Sequence, residues 1–174
     1  MIYFIEGCTC AGKSTLAREW LADSPSAIIA PEHTPKLIDS EEPDARQARI
    51  FTDYIQHFRE LLEITEKTFI ADFSPLGVIP FTYALADHYA YSQKGLALYK
   101  MARNMQYEWE HFYAEHKNEL VCLDFLVAAP ETIIARLRDR QRDGDEVWKP
   151  AFIRFLCLHY FKTKEHYAKE LKLC

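Results

Sequence analysis

The sequence predicts an α/β fold in which a parallel sheet lies between layers of helices. Short apolar runs alternate along the chain with longer segments whose apolar residues recur at helical spacing. The chain has 174 residues, 49% of them apolar, which is enough to form a buried core in one domain. The chain shows neither an internal repeat nor a low-complexity linker. We therefore expect a single domain over residues 1–174 with four or five strands and helices on both faces of the sheet.

The first half of the chain predicts three strands and two helices. The expected order is a strand over 2–6, a helix over 12–22, a strand over 27–30, a helix over 44–67 and a strand over 68–72. The first helix should end at Asp23-Ser24-Pro25, because proline and its polar neighbours break helices. Prolines at 31, 35 and 43 predict a loop before the long helix. One face of that helix is apolar and consists of Ala48, Phe51, Ile55, Phe58 and Leu62.

The second half predicts four helices and one more strand. The expected order is helices over 76–92 and 95–116, a strand over 119–127, and helices over 130–141 and 150–169. The helix over 95–116 has an apolar face formed by Leu98, Met101, Met105, Trp109 and Phe112. A fifth strand, where one exists, can only be residues 171–174.

Composition excludes several classes of function. The net charge is −5 and the pI about 5.8, whereas a protein that binds long nucleic acids usually carries a basic excess. The five cysteines show no zinc-ligand spacing, which predicts free thiols in a reducing cytosol. The chain enters a predicted strand directly after Met1, which argues against a signal peptide. No apolar stretch approaches the ~20 residues of a membrane span. We expect a cytoplasmic protein that does not bind membranes.

The segment from Gly7 to Ser14 matches the phosphate-loop pattern G-x-x-x-x-G-K-[ST] without a mismatch. The match lies between a predicted strand and a predicted helix, which is the context that this loop requires. Its backbone N–H groups must point at phosphate oxygens, so the bends need glycine, and the following helix N-terminus adds positive charge. We expect Lys13 to contact the β- and γ-phosphates of ATP, and Ser14 to ligate Mg²⁺. The predicted nucleotide-binding residues are Gly7, Cys8, Thr9, Cys10, Ala11, Gly12, Lys13, Ser14 and Thr15.

Two acids follow predicted strands and are candidates for the chemistry. Asp72 ends the third strand, where a ligand of Mg²⁺ or of its water is expected, although a helix N-cap or an ordinary turn residue remains an alternative. Glu32 follows the second strand in a proline-bounded loop and can serve as the base that accepts a hydroxyl proton. An ordinary loop acid is the alternative for Glu32.

The helix predicted after Pro130 is rich in arginine. Arg136 and Arg140 share one face at a spacing of four residues, and so do Arg138 and Arg142. Like charges at that spacing destabilise an isolated helix, so the pattern indicates that phosphates bind among these side chains. Acids in the same run leave a solvated, salt-bridged surface as the alternative.

These motifs, in this order, resemble the deoxynucleoside kinase and thymidylate kinase group of P-loop kinases. Members have an E-P or similar motif after strand two, D/E-R-S after strand three, and an arginine-rich lid, P-E-x-x-x-x-R-x-x-x-R-x-R-x-x-E. Pro130, Glu131, Arg136, Arg140 and Arg142 match the lid at the right spacing, with Asp145 in the place of its final acid. Leu158-His159 resembles the Leu-His of the group.

The resemblance implies a three-layer P-loop NTPase fold with a lid over about 136–149, and a kinase that transfers the γ-phosphoryl group of ATP to a nucleoside or nucleoside monophosphate. It implies catalytic roles for Lys13, Glu32, Asp72, Arg136, Arg140 and Arg142, with Ser14 and Asp72 at the metal. Aromatic candidates for holding the base of the acceptor are Phe51, Tyr54, Phe58, Phe81 and Tyr83, and for each of them packing in the core is the alternative.

The sequence also departs from the group. Phe73 stands where D/E-R-S has its arginine, a residue that helps to hold acceptor and phosphate. Two alternatives therefore stay open: a kinase of another small molecule or of a nucleic-acid 5′ hydroxyl, and a nucleotide-binding regulatory module without turnover. The choice between nucleoside and monophosphate is open at this stage, as is the oligomeric state, a homodimer included.

Overall fold

The structure is a computed structural model and describes residues 1–31, 41–140 and 148–168. Four parallel strands form one sheet in the order β2-β3-β1-β4. The strands are β1 (Ile2–Gly7), β2 (Ala27–Ile29), β3 (Thr68–Ala71) and β4 (Leu120–Leu126). The helices are α1 (Lys13–Asp23), α2 (Pro43–Glu63), α3 (Val78–His88), α4 (Gln93–Glu115), α5 (Pro130–Arg140) and α6 (Pro150–Tyr167). A 3₁₀ turn over Pro75–Gly77 leads into α3.

Helices cover both faces of this sheet. Successive side chains of a strand point to opposite faces, and β1 is apolar on both. Ile2 and Phe4 belong to the larger core cluster, to which α2, α3, α4, α5 and α6 contribute. Ile5 belongs to the smaller cluster, where it packs with Ala17 of α1. The arrangement is three-layered, with α1 on one side, which confirms the predicted fold class.

The centre of the larger cluster is aromatic. The ring of Phe4 makes edge-on contacts with Trp109 at 5.9 Å and with Phe58 at 6.5 Å between centroids. Such pairs contribute about 0.5–1.5 kcal/mol each beyond the burial of their area. They join β1 to α4 and α2, so the strand that precedes the phosphate loop is fixed from the side of the core.

The topology brings four loop regions to one edge of the sheet. All four strands are parallel, so their carboxyl ends meet there, and ligands of open α/β sheets bind at this edge. Strand β1 is central and pairs with both β3 and β4. The loop after Gly7 therefore lies between the segments that follow Ala71 and Leu126.

Most element boundaries agree with the sequence to within a few residues, and two differ more. Helix α2 ends at Glu63 instead of 67, and the C-cap residue Ile64 has non-helical backbone angles, with φ at −86° and ψ at 76°. The helix expected over 76–92 is a 3₁₀ turn followed by the shorter α3. Tyr91, with φ at +63°, is in a left-handed conformation that a helix cannot contain. The possible strand over 171–174 lies outside the described residues.

Among the helices of the described ranges, none combines the length and the apolar character that a membrane span requires.

Candidate active site

The phosphate loop adopts the predicted strand–loop–helix geometry. Gly7 has φ at +144°, and a Cβ there would lie 2.2 Å from the carbonyl oxygen of Leu126. Gly12 has φ at +108° and is the N-cap of α1, which begins at Lys13. Both glycines of the motif therefore hold backbone conformations that side-chain-bearing residues rarely adopt. The N-terminus of α1, with its unpaired N–H groups, faces the loop.

Lys13 lines two neighbouring cavities. Its Nζ donates hydrogen bonds to the carbonyl oxygens of Gly7 at 2.7 Å and Cys8 at 3.1 Å. The outer cavity, here called the phosphate cleft, measures about 770 Å³. It is lined by the loop from Thr9 to Thr15, Leu16, Arg18, Glu19, Asp124, Leu126, Arg136 and Arg140. Lys13 also lines the second cavity, described below.

Two arginines of α5 reach the phosphate cleft. Arg136 donates from Nη1 to the carbonyl oxygen of Cys10 at 2.9 Å, which ties α5 to the loop. Arg140 lines the same cleft one helical turn later. Arg136 and Arg140, which share one face of the helix, therefore both lie beside the phosphate loop. Arg142 lies outside the described residues, as does Asp145.

Asp72 and Ser14 meet at the edge of the sheet. The Ser14 hydroxyl donates to Oδ2 of Asp72 at 2.5 Å. The N-cap interpretation of Asp72 is wrong, because Ser74 is the residue that precedes the 3₁₀ turn. Hydroxyl and carboxylate oxygens are donors that suit Mg²⁺. No group of three or more His, Cys, Asp or Glu in the described ranges could hold a metal, so a cation here would take its remaining ligands from water and phosphate.

A second cavity of about 240 Å³, here called the inner cavity, opens beside Lys13. It is lined by Glu6, Lys13, Gln47, Ile50, Tyr54, Phe73, Ser74, Gly77, Val78, Phe81 and Tyr160. Its walls are mostly apolar and aromatic, with a few polar groups among them. That composition is typical of a site for a small organic ligand.

Phe73 is part of the apolar wall. Its ring lies 5.3 Å from Tyr54 and 6.0 Å from Phe58, and it stacks on His57 at 5.9 Å. The position that resembles the arginine of D/E-R-S thus supplies an aromatic ring packed against α2, in place of a cation.

Solved structures with this fold are known. Deoxyadenosine kinase from M. mycoides, with products dCMP and a flexible dCDP bound, matches with a TM-score of 0.66 and 16% identity, over 100% of this chain and 88% of that one. The chain has the deoxyadenosine kinase fold. The same kinase with bound dATP gives a TM-score of 0.62 at 15% identity, over 100% and 89% of the two chains. The YorR protein of Bacillus subtilis, in complex with phosphorylated GDP, gives 0.56 at 18% identity, over 100% and 82%.

No family model matches the sequence, and no curated protein is similar to it. At identities of 15–18%, the likeness to these solved structures shows a common fold and nothing further.

The aromatic residues expected to hold a base are only partly at the inner cavity. Tyr54 and Phe81 line it. For Phe51 and Phe58 the alternative holds, since they are 1% and 0% exposed in the core. Tyr83 stacks on His159 at 5.4 Å and lines a separate cavity. Helical periodicity in the sequence identifies the apolar face of a helix. It does not show which residues of that face pack in the core and which line a cavity.

Sequence reasoning missed the polar residues of the inner cavity: Glu6, Gln47, Ser74 and Tyr160. Two of them left a signal. Glu6 is a charged residue at the end of an otherwise apolar strand, and Gln47 lies four residues before Phe51 on the buried side of α2. Burial raises the pKa of Glu6 to about 7, an effect that Lys13 and the Ser74 hydroxyl partly oppose.

Cys8 differs from the other loop residues. Its side chain is 0% exposed and does not line the phosphate cleft. A hydrogen bond with the thiol of Cys157 lowers the pKa of Cys8. Its side chain therefore packs beneath the loop and anchors it to α6. Glu32, the base expected from the sequence, lies outside the described residues.

Proposed function

We propose that this chain is an ATP-dependent kinase that transfers the γ-phosphoryl group to a nucleoside or nucleoside monophosphate. The observation that carries the proposal is that Lys13 lines both the phosphate cleft and the inner cavity. A donor phosphate and an acceptor bound in these two spaces would meet at one ammonium group. Related folds occur in a deoxyadenosine kinase solved with dATP and with dCTP, which supports nucleotide ligands for this chain.

The donor is ATP, held in the phosphate cleft. Loop N–H groups and the α1 N-terminus bind the phosphates, Thr15 donates to the α-phosphate, and Lys13 exchanges its loop carbonyls for the β- and γ-phosphates. Arg136 and Arg140 stabilise charge on the transferring group, together with Arg142. Phosphoryl transfer needs little covalent help from the protein, so positioning and electrostatics perform the catalysis.

Ser14 and Asp72 would hold Mg²⁺, since their oxygens already lie together at the mouth of the cleft. When bound, the ion neutralises phosphate charge. With its carboxylate accepting the hydroxyl proton, Asp72 would leave the oxygen of Ser14 free to face the ion.

The acceptor occupies the inner cavity. Tyr54, Phe73 and Phe81 offer aromatic surfaces for a base, and the amide of Gln47 offers hydrogen bonds to its edge. Lys13 is the only cation among the described residues that line this cavity. A neutral nucleoside suits such a lining better than a doubly charged monophosphate. A nucleoside hydroxyl profits from a base, and Glu32 is our candidate for it.

Phe73 also favours a second candidate, a kinase of another small hydroxyl compound. Phe73 takes the place of the arginine with which the deoxynucleoside and thymidylate kinases hold their acceptor. The acceptor of this chain can therefore be a compound other than a nucleoside. The acidic net charge of −5 speaks against a long nucleic acid.

The test is ADP release from ATP and Mg²⁺ with a panel of nucleosides, their 5′-monophosphates and other small hydroxyl compounds. We expect turnover with at least one nucleoside, and a loss of roughly a hundredfold or more in Lys13→Ala. Lys67→Ala, at an exposed position far along the chain, is the matched control and should keep wild-type turnover. ADP release that no acceptor stimulates would refute the proposal.

A further inference from the structure

The carboxylate of Glu6 joins two segments of the chain. It ends β1, is 2% exposed, and accepts a hydrogen bond from the N–H of Gly7 at 3.0 Å. The Ser74 hydroxyl also donates to it, and the backbone N–H of Gly77 donates to the carbonyl oxygen of Ser74 at 3.1 Å. A Cβ on Gly77 would lie 2.6 Å from Oε1 of Glu6, so the turn approaches the carboxylate as closely as glycine allows.

The two joined segments belong to different halves of the site. Gly7 opens the phosphate loop, whereas Ser74 and Gly77 form the floor of the inner cavity. From the other side, the hydroxyl of Tyr160 donates to the carbonyl oxygen of Gly77 at 3.0 Å. The turn over Pro75–Gly77 is thus held between α6 and Glu6, and Glu6 is its direct hydrogen-bonded link to the phosphate loop.

We propose that Glu6 is a positioning residue that sets the register between the acceptor floor and the phosphate loop. This inference rests on the proposed function, because register matters only where two ligands react. In-line phosphoryl transfer requires reacting atoms to be aligned within a few tenths of an ångström, and a displacement of about 1 Å can cost roughly a hundredfold in rate.

The contacts of Glu6 argue against its acting as the base itself. Both carboxylate oxygens already accept hydrogen bonds from the protein, and the side chain is almost fully buried. The titratable groups that interact electrostatically with Glu6 are Lys13 of α1, Cys122 of β4 and Tyr160 of α6. A neutral carboxyl can keep the same partners, because its carbonyl oxygen accepts from Gly7 while its hydroxyl donates to Ser74.

This pattern allows a sharp comparison of two variants. In Glu6→Gln the amide oxygen can accept from the Gly7 N–H and the amide nitrogen can donate to Ser74, so the link persists without charge. In Glu6→Ala the link is lost. We expect E6A to lower kcat by roughly tenfold or more at an ATP affinity within about threefold of wild type, and E6Q to recover most of that loss.

The measurement is kcat and KM for the best acceptor of the panel, with ATP affinity from a fluorescent analogue and folding from circular dichroism. Because E6A removes the acceptor of both the Gly7 N–H and the Ser74 hydroxyl, Ser74→Ala is a milder change that keeps the hydrogen bond from the Gly7 N–H to Glu6. We expect S74A to lower kcat by about threefold, again with little change in ATP affinity.

The outcomes separate cleanly. E6Q as inactive as E6A would show that the charge of Glu6 is needed, which overturns the positioning role. Folded E6A or S74A with wild-type kcat and KM would reduce the residue to a structural role and overturn the proposal as well. Wild-type protein that turns over no acceptor refutes the proposed function, and the positioning role falls with it, whereas the first two outcomes leave the proposed function intact.

Discussion

At the scale of single residues, the site depends on where charge is placed. Lys13 lies between the two cavities, and Arg136 and Arg140 enter the phosphate cleft from α5. Glu6 and Asp72 supply the carboxylates at the ends of β1 and β3. The proposed donor site therefore carries the cations, whereas the proposed acceptor site is mainly aromatic. This separation suits an anionic donor and a neutral acceptor.

The first residue-scale prediction concerns Arg140. Arg140→Ala should lower kcat by about tenfold or more while the KM for ATP changes little, because the contact matters most when charge moves onto the transferring group. Steady-state kinetics at saturating acceptor measures this. Arg138→Ala is the matched control, since Arg138 lies on the same helix but not among the residues that line the cleft. Equal losses in the two variants would contradict a specific role.

The second concerns Glu32, which the sequence alone places at the acceptor. Glu32→Gln keeps the shape of the side chain and removes the base. With a hydroxyl acceptor we expect kcat to fall by roughly a hundredfold, because a hydroxyl is a poor nucleophile. With a monophosphate acceptor the effect should be small. Full activity of the variant with every hydroxyl acceptor would move the role of base to Asp72.

At the scale of elements, α2 shows how a helix serves core and site together. Phe51, Ile55 and Phe58 point into the core, whereas Gln47 and Tyr54 line the inner cavity. Periodicity predicted the helix because burial repeats along one chain segment. The cavity was not predicted, since it exists only where α2, the segment after β3, and α6 come together, and no local pattern encodes that meeting.

The element-scale prediction concerns the segment after β3, where Phe73 packs against α2. Phe73→Arg adds a guanidinium to the wall of the inner cavity, and arginine pairs with phosphate through two parallel hydrogen bonds. We expect the ratio of kcat/KM for a monophosphate to that for its nucleoside to rise by about tenfold. Phe73→Leu, the apolar control, should leave the ratio unchanged. A rise in both variants would mean that lost packing, rather than added charge, changes the preference.

At the scale of the whole molecule, the three-layer fold followed from the order of short apolar runs and amphipathic segments. The phosphate loop was assigned to the correct edge because its motif includes the end of a strand and the start of a helix. The contact of Arg136 with the carbonyl oxygen of Cys10 was not predicted, because the spacing of the arginines defines a helix face but not what that face touches. The burial of Glu6 was not predicted either, because it depends on Ser74 and Gly77, which are some seventy residues away in the chain.

That burial has a consequence for the stability of the entire chain. Burial raises the pKa of Glu6 from 4.5 to about 7, so the folded protein binds this proton more tightly than the unfolded chain does. The favourable contribution of the protonated carboxyl is therefore present in full below pH 4.5 and is lost as pH rises through 7. The size of the loss is on the order of 3 kcal/mol.

Glu6→Gln isolates this effect, because glutamine does not titrate. We expect the free energy of unfolding of E6Q, relative to wild type, to rise by about 3 kcal/mol between pH 4.5 and 8. Urea denaturation of the ligand-free proteins at a series of pH values measures it. Glu63→Gln, at an exposed position at the end of α2, controls for the removal of one carboxylate from an acidic chain and should show no comparable trend. A difference between E6Q and wild type that stays constant with pH would mean that the buried carboxyl carries the same charge in the folded and unfolded states, and the electrostatics assigned to the end of β1 would be wrong.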